Sequence, residues 1–284
     1  MNPRYPVFVP TKGRWETPYT IAAFQRLNIP FKAVVEPQQV EHYIPVVGED
    51  NILVPPHQDK GLVVTRNWIW DYAQSLGVER FWTFDDNIRE FYRLAHNIKY
   101  RVTSGTFLNV MEDFIERYEN VPIAGMRYEM FVPRKKKCDP FILNTRVYSN
   151  MLLQTNFRDA AGNLFRNEGF YNDDTDLCLR ALKNGYCVIQ FNAFLAEKIT
   201  TMAVKGGMTP HYQGDGRWKM AEELRQKHPD VVTITQKWGR WQHLVDYSSF
   251  RKNTLIKKAG ISIPEGVNNY GMILAKHGEA QVYE

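Results

Sequence analysis

Two acidic clusters in this chain have the composition and setting to do chemistry. Phe84-Asp85-Asp86-Asn87 closes the apolar run Phe81-Trp82-Thr83, so two adjacent carboxylates stand where a buried strand would meet solvent. Such neighbours repel, and both stay ionised most readily beside a divalent cation; hard oxygen donors suit Mg²⁺ or Mn²⁺. A metal-bound diphosphate is the ligand this pattern would hold. The alternative is a solvated turn in which Asp and Asn cap a following helix. Far downstream, Asn172-Asp173-Asp174-Thr175-Asp176 precedes the periodic run Leu177-Cys178-Leu179-Arg180-Ala181-Leu182. Acids at a helix start stabilise the macrodipole by about 0.3–1 kcal/mol each, and that need absorbs one of them. A further carboxylate at a helix start is placed to act as a general base, taking a proton from an attacking hydroxyl.

Alternating strands and helices must position these groups. Val7-Phe8-Val9-Pro10 reads as a strand, Thr11-Lys12-Gly13-Arg14 as a polar loop, and Trp15 to Leu27 as a helix. Strands follow at Phe31–Val35, ending in Glu36-Pro37, and at Asn51–Val54. A helix from Leu62 to Leu76 shows an apolar face of Val63, Trp68, Ile69, Tyr72, Ala73 and Leu76 before the Phe81–Phe84 strand. This order predicts an α/β fold, an open twisted sheet flanked by helices, with ligands at the carboxyl ends of the strands. Further on, Arg89 to Leu94 reads as a strand, Phe107 to Tyr118 as an amphipathic helix, and Phe141 to Leu153 as extended. Thr175 to Lys183 forms a helix stopped at Asn184-Gly185, Tyr186 to Phe191 a strand, and Arg217 to His228 an amphipathic helix. The expected organisation is a catalytic domain over residues 1–215 and a helical, basic extension over 216–284 packing on the core.

Composition bounds the rest. At 284 residues, 44% hydrophobic and 24% charged, the chain is that of a folded globular protein and not a disordered one. Its three cysteines form no CxxC pair, which excludes a zinc ribbon or a disulfide framework and fits a reducing compartment. No segment approaches the ~20 apolar residues of a membrane span, so a cytoplasmic protein without a membrane partner is expected. The formal charge of +5 permits a polyanionic partner without requiring one.

Several motifs in order resemble a GT-A fold glycosyltransferase of the inverting, family-2-like type, over roughly residues 5 to 215. Val7-Phe8-Val9-Pro10-Thr11 with Arg14 resembles the first strand and nucleotide loop, and Val34-Val35-Glu36 the second strand, whose terminal acid contacts uracil. Lys60-Gly61 with Arg66-Asn67 resembles the helix below the diphosphate, Phe84-Asp85-Asp86-Asn87 the DXD-type metal motif, and Asp173-Asp174-Thr175-Asp176-Leu177 with Arg180 and Gly185-Tyr186 the segment carrying the base. The resemblance implies a UDP-sugar donor with Mn²⁺ or Mg²⁺, and assigns donor binding to Thr11, Arg14, Glu36, Arg66, Asp85 and Asp86. It implies that Asp86 and the late His211 bind metal, that Asp174 is the base, and that Asp173, standing where the family has Glu, contacts the acceptor.

Pro10-Thr11-Lys12-Gly13-Arg14, Arg66-Asn67-Trp68-Ile69-Trp70 and Phe81 through Ile88 are most similar to the TET-associated glycosyltransferases, found in phages that hypermodify their DNA. This implies transfer of a hexosyl, N-acetylhexosaminyl or pentosyl group to 5-hydroxymethylcytosine or a related pyrimidine in DNA. The basic run Arg134-Lys135-Lys136-Lys137 and the tail residues Lys237, Trp238, Arg240, Trp241, His243, Arg251, Lys252, Lys257 and Lys258 suit phosphate contacts with interleaved stacking. Read otherwise, the run is a solvated loop, and Trp238 and Trp241 at helical spacing anchor the tail to the core. Competing functions are a glycosyltransferase with a glycan or small-molecule acceptor, a non-catalytic nucleic-acid-binding module on the same fold, and a nucleotidyltransferase; the single glycine of Thr11–Arg14 disfavours the last.

Overall fold

In the computed structural model, residues 2–133, 138–199 and 214–262 are described. The wholly buried Val7–Thr11 forms β1. After the loop of residues 12–18 comes α1 (Tyr19–Arg26), followed by β2 (Lys32–Val35), α2 (Val40–Val47), β3 (Ile52–Leu53), α3 (Leu62–Ser75) and β4 (Arg80–Phe84). The first helix begins later than its predicted start at Trp15 because Pro18 occupies the position before it; a proline there lacks the N–H that would continue a helix backwards. The strands β3, β2, β1 and β4 pair in parallel, so their carboxyl ends share one sheet edge. Thr11, Glu36 and Asp85 stand at that edge.

The sheet then departs from a simple parallel succession. β5 (Ile88–Ala95), β6 (Ile98–Arg101), α4 (Thr106–Ile115), β7 (Ile123–Tyr128), β8 (Phe141–Leu143), β9 (Asn150–Gln154), α5 (Asp173–Lys183) and β10 (Val188–Lys198) follow in chain order. Among the described residues the strand order is β3-β2-β1-β4-β9-β7-β10-β5-β6, with β8 against β10. β9 inserts antiparallel between β4 and β7, while β7 and β10 are parallel. Alternation along β1 sends Val7 and Val9 to one apolar layer and Phe8 to the other. The first layer packs Phe24, Tyr43, Trp82 and Met111 from α1, α2, β4 and α4; the second packs Ile69, Trp70, Leu177 and Leu179 from α3 and α5. This is an α/β sheet with helices on both faces, as the sequence predicts.

The buried stripe of α3 differs from the expected one. It runs through Arg66, Ile69, Trp70 and Ala73, spaced as one helical face, while Leu76 is 49% exposed. Trp70 takes the inward place because its indole N–H reaches the Thr155 carbonyl at 2.9 Å, so a large ring is buried without an orphaned donor. An arginine is thereby drawn onto an apolar stripe.

After residue 214 the chain forms α6 (Gly216–Lys227) and then a hairpin of β11 (Val232–Lys237) and β12 (Arg240–Val245). Leu224, Val231, Val232 and Phe250 join the second apolar layer. Trp238 and Trp241 do not anchor this region: they are 88% and 41% exposed, because they lie at and beside the hairpin turn and not on a helix. No helix among the described residues is long and apolar enough to cross a membrane.

At the centre of the sheet, β7 and β9 approach each other at Gly125. A Cβ there would lie 2.0 Å from the Asn150 carbonyl oxygen and 2.3 Å from Val147 Cγ1. Gly125→Ala is therefore expected to cost at least about 1–3 kcal/mol, measured by urea denaturation; an unchanged midpoint would show that β9 can move aside.

Candidate active site

Arg66 joins the two acidic clusters. Carried inward on α3, its guanidinium donates from Nη2 to Asp85 Oδ1 at 2.7 Å and from Nη1 to Asp173 Oδ2 at 2.6 Å. Asp85 follows β4 and Asp173 opens α5, so one planar fork joins two distant segments, with Arg66 and Asp173 themselves 107 residues apart in sequence. Burial works against the Arg66 charge, but the carboxylates of Asp173, Asp85 and Asp174 outweigh it and hold the cation firmly protonated.

The adjacent acids Asp85 and Asp86 face opposite ways and acquire different properties. Asp85 Oδ2 accepts from Ser149 Oγ at 2.5 Å and Lys198 Nζ at 2.8 Å. Burial works to neutralise it, yet Lys198 and Arg66 together hold it far below the usual carboxylate range. Asp86 Oδ2 accepts from Thr11 Oγ1 at 2.9 Å, and its Oδ1 lies 2.9 Å from Arg14 Nη1. Here burial, reinforced by the charge of Asp85, exceeds the help from Arg14 and pushes the carboxyl up to about 6. Tyr43 braces this loop, its hydroxyl 2.8 Å from Thr11 Oγ1 and accepting the Arg14 amide at 3.0 Å.

Asp174 is half-buried in the first turn of α5, with Oδ1 accepting the Thr175 amide at 2.7 Å. Among the described residues no cation lies within ion-pair distance of it. Burial, with the neighbouring charges of Asp173 and Asp85, pushes it up to about 6 against the opposing pull of Arg66 and Lys198. Asp176, the third acid of the cluster, is committed elsewhere, to Arg180 at 2.8 Å and His228 at 3.0 Å. Glu36, at the end of β2, accepts from Lys12 Nζ at 2.7 Å and from the Asp59 amide at 3.2 Å; these bonds overcome the effect of burial and lower its pKa.

Thr11, Arg14, Arg66, Asp85, Asp86, Asp173 and Asp174 thus converge, with Glu36 joined to the same loop through Lys12. Arg134, Lys135, Lys136, Lys137 and His211 lie outside the described residues. Sequence reading missed Lys198 and Ser149. The Tyr186–Phe191 strand was predicted to end before the stretch that carries Lys198, and Ser149 is an ordinary-looking residue ahead of β9. The usable signal is the lysine closing the apolar run Phe194-Leu195-Ala196.

No group of three or more His, Cys, Asp and Glu poised to hold a metal occurs among the described residues. Asp86 nevertheless supplies the hard oxygen donors a divalent cation prefers, and it is the carboxylate whose charge is incompletely offset, whereas both oxygens of Asp85 are taken by Arg66, Ser149 and Lys198. Asp86 is the residue that would hold such an ion.

Two stability outcomes follow. Arg66→Met strands Asp85 and Asp173 without their shared cation and is expected to cost about 3–5 kcal/mol in chemical denaturation; retention of wild-type stability would contradict the bridge. Asp174 is raised from 3.8 to about 6, so its ionised form is disfavoured in the folded state. Asp174→Asn should then stabilise the protein at neutral pH, by on the order of 1–3 kcal/mol. Sign and window follow from linkage: the raised pKa stabilises the wild type fully below 3.8 and that contribution is lost as pH rises through 6. Thermal denaturation at several pH values should therefore show the advantage of the variant shrinking with acidification; an advantage independent of pH would refute this.

A family model for the TET-associated glycosyltransferases matches residues 5–207. No curated protein matches the chain. Solved structures with a similar course of the chain include a protein described as a nucleotide-diphospho-sugar transferase from Desulfovibrio desulfuricans G20, at 9% identity and TM-score 0.41, covering 70% of this chain and 84% of that one. An apo UDP-glucose pyrophosphorylase is similar at 9% identity and TM-score 0.39, covering 68% and 92%. A protein described as a glucose-1-phosphate thymidylyltransferase from Bacillus anthracis is similar at 10% identity and TM-score 0.40, covering 82% and 98%. These likenesses are distant. The family match spans well over half of the chain and contains both acidic clusters and their arginine bridge: the chain belongs to the TET-associated glycosyltransferase family and is a sugar-nucleotide-dependent glycosyltransferase.

Proposed function

We propose that the protein transfers a sugar from a UDP-sugar to the hydroxymethyl group of a 5-hydroxymethylpyrimidine, 5-hydroxymethylcytosine above all, in DNA, with inversion at the anomeric carbon. The observation that carries this reading is the Arg66 bridge, which sets a cation-lined pair of acids beside a half-buried carboxylate that has no cation within ion-pair distance among the described residues.

On this reading Thr11, Arg14 and Glu36 hold the nucleotide. Uracil selection by Glu36 is expected to use the oxygen left beside its bonds to Lys12 and Asp59. Arg14, Arg66 and Lys198 place positive charge around the leaving diphosphate, where it gains most as negative charge develops. A divalent cation held by Asp86, with His211 as the further expected ligand, would add to that neutralisation when bound, and Asp85 borders the sugar. Asp174 takes the proton from the acceptor hydroxyl as that oxygen attacks the anomeric carbon and the bond to the diphosphate breaks. A carboxyl poised near 6 is a better base than an ordinary aspartate and is still ionised at neutral pH. Asp173, fixed by Arg66, borders the acceptor side.

Membership of the family supports a DNA acceptor, and exposed basic residues are in keeping with it. Lys237, Arg240, Arg251, Lys252 and Lys257 lie on the surface after β11 begins, and the run Arg134–Lys137 is assigned to the same role. Residues 1–215 are read as the catalytic unit and 216–284 as an extension contributing to acceptor binding.

The test is mass spectrometry of hydroxymethylcytosine-containing DNA incubated with a panel of UDP-sugars, with Mn²⁺, Mg²⁺ or a chelator. A mass gain of one sugar per modified base is expected, lost with chelation. Asp174→Asn should lose about 10²–10⁴-fold in rate while UDP-sugar affinity, read by calorimetry, is retained; near-normal turnover removes Asp174 from its role. Transfer to DNA should fall steeply with salt, and a flat profile with sugar appearing only on a small acceptor would replace DNA by that acceptor.

A further inference from the structure

The hairpin of β11 and β12 turns through only Trp238 and Gly239, with Lys237 opposite Arg240. Both turn residues have left-handed backbone, φ 52° and 69°. A two-residue turn of this kind favours Asn-Gly, because a side chain with a Cβ is strained there and a bulky one most of all. A tryptophan at that position, with its side chain almost wholly in solvent, works against the stability of the turn and buries nothing in return. Lys237 and Arg240 flank it, and neither has a carboxylate within ion-pair distance among the described residues.

A relay of side chains joins β12 to the active site. His243 Nε2 accepts from Arg146 Nη1 at 3.1 Å, and Arg146 lies over the Tyr148 ring, 5.1 Å from its centroid. Tyr148 meets Tyr128 edge-on at 4.4 Å, and Tyr128 donates to Ser149 Oγ at 2.5 Å, the residue that holds Asp85. Three steps of strand separate His243 from Arg240, about 10 Å, and the turn carries Trp238 beyond them. The indole therefore stands at the tip of the hairpin, farther along it than the residue that contacts Arg146.

We infer that Trp238 is a stacking wedge for duplex DNA, entering the base step opened when the hydroxymethylated pyrimidine is drawn toward Asp174, with Lys237 and Arg240 on the flanking phosphates. An indole face stacks on any base, and the two cations neutralise the backbone on either side. No bond forms or breaks in this step; the ring fills the space the base leaves. The inference rests on the DNA-acceptor reading above.

The experiment compares wild type, Trp238→Ala, Trp238→Phe and Trp238→Asn on a duplex with one 5-hydroxymethylcytosine, the matching single strand, and the free hydroxymethylated nucleoside. Asparagine suits the left-handed turn, so Trp238→Asn keeps the hairpin while removing the ring. The Ala and Asn variants should lose at least about tenfold in kcat/KM on the duplex, less on the single strand, and stay within twofold on the nucleoside, with Phe largely restoring duplex activity. A 2-aminopurine beside the modified base should brighten on binding wild type and remain quenched with Trp238→Asn. Equal losses on all substrates, or none on the duplex, overturn the wedge. A wild type that glycosylates the nucleoside and no DNA overturns the DNA reading itself, and the wedge with it.

Discussion

The architecture depends on one buried cation. Arg66 sits on the apolar stripe of α3, where an unpaired guanidinium would be prohibitively unfavourable, and two carboxylates from distant segments are required around it. The requirement runs both ways. Asp173 is also buried, and among the described residues Arg66 is its one cation within ion-pair distance, so removal of the arginine leaves it uncompensated. The arginine is thus a geometric constraint first and a source of net stability second. It fixes the end of β4 against the start of α5, and with them the two clusters whose meeting makes one site.

The same constraint sorts the acids by task. Asp85 receives Arg66, Lys198 and Ser149 and is locked in its charged form, which suits a group that must hold a position. Asp86 and Asp174 are both pushed up, by burial and by their neighbours, but differ in company. Asp86 faces Arg14 and Thr11, whereas Asp174 accepts only from the amide and hydroxyl of Thr175 among the described residues. A carboxylate with a raised pKa and no cation beside it accepts a proton readily. Identical side chains take different roles because the surrounding charges are unequal.

Local signals in the sequence were sufficient for the first half of the fold. Short apolar runs ending in Thr11, Glu36 and Asp85 mark parallel strands whose carboxyl ends collect the site, and the periodicity before Lys183 marks α5. What escaped was non-local. Nothing in Asn150–Gln154 says that it pairs antiparallel with β4 and β7, since strand order is set by which edges are free when the chain returns. Lys198 was missed because β10 continues past the bulge near Phe191 and Leu195 to carry a lysine into the site. The α3 stripe was misjudged for a related reason: hydropathy alone favours Leu76, whereas the Thr155 carbonyl decides for Trp70. Trp238 and Trp241 fit a helical spacing, yet the pair Trp238-Gly239 makes a hairpin turn.

The most direct examination of the central claim is a crystal structure of the Asp174→Asn variant with a UDP-sugar and a hydroxymethylcytosine oligonucleotide. The diphosphate should lie between Asp86 and Arg66, and the hydroxymethyl oxygen within about 2.6–3.2 Å of residue 174, both in the cleft spanned by the arginine. A hydroxymethyl group bound away from α5, with the donor still on Asp86, would show that the two acidic clusters share a salt bridge and not a reaction.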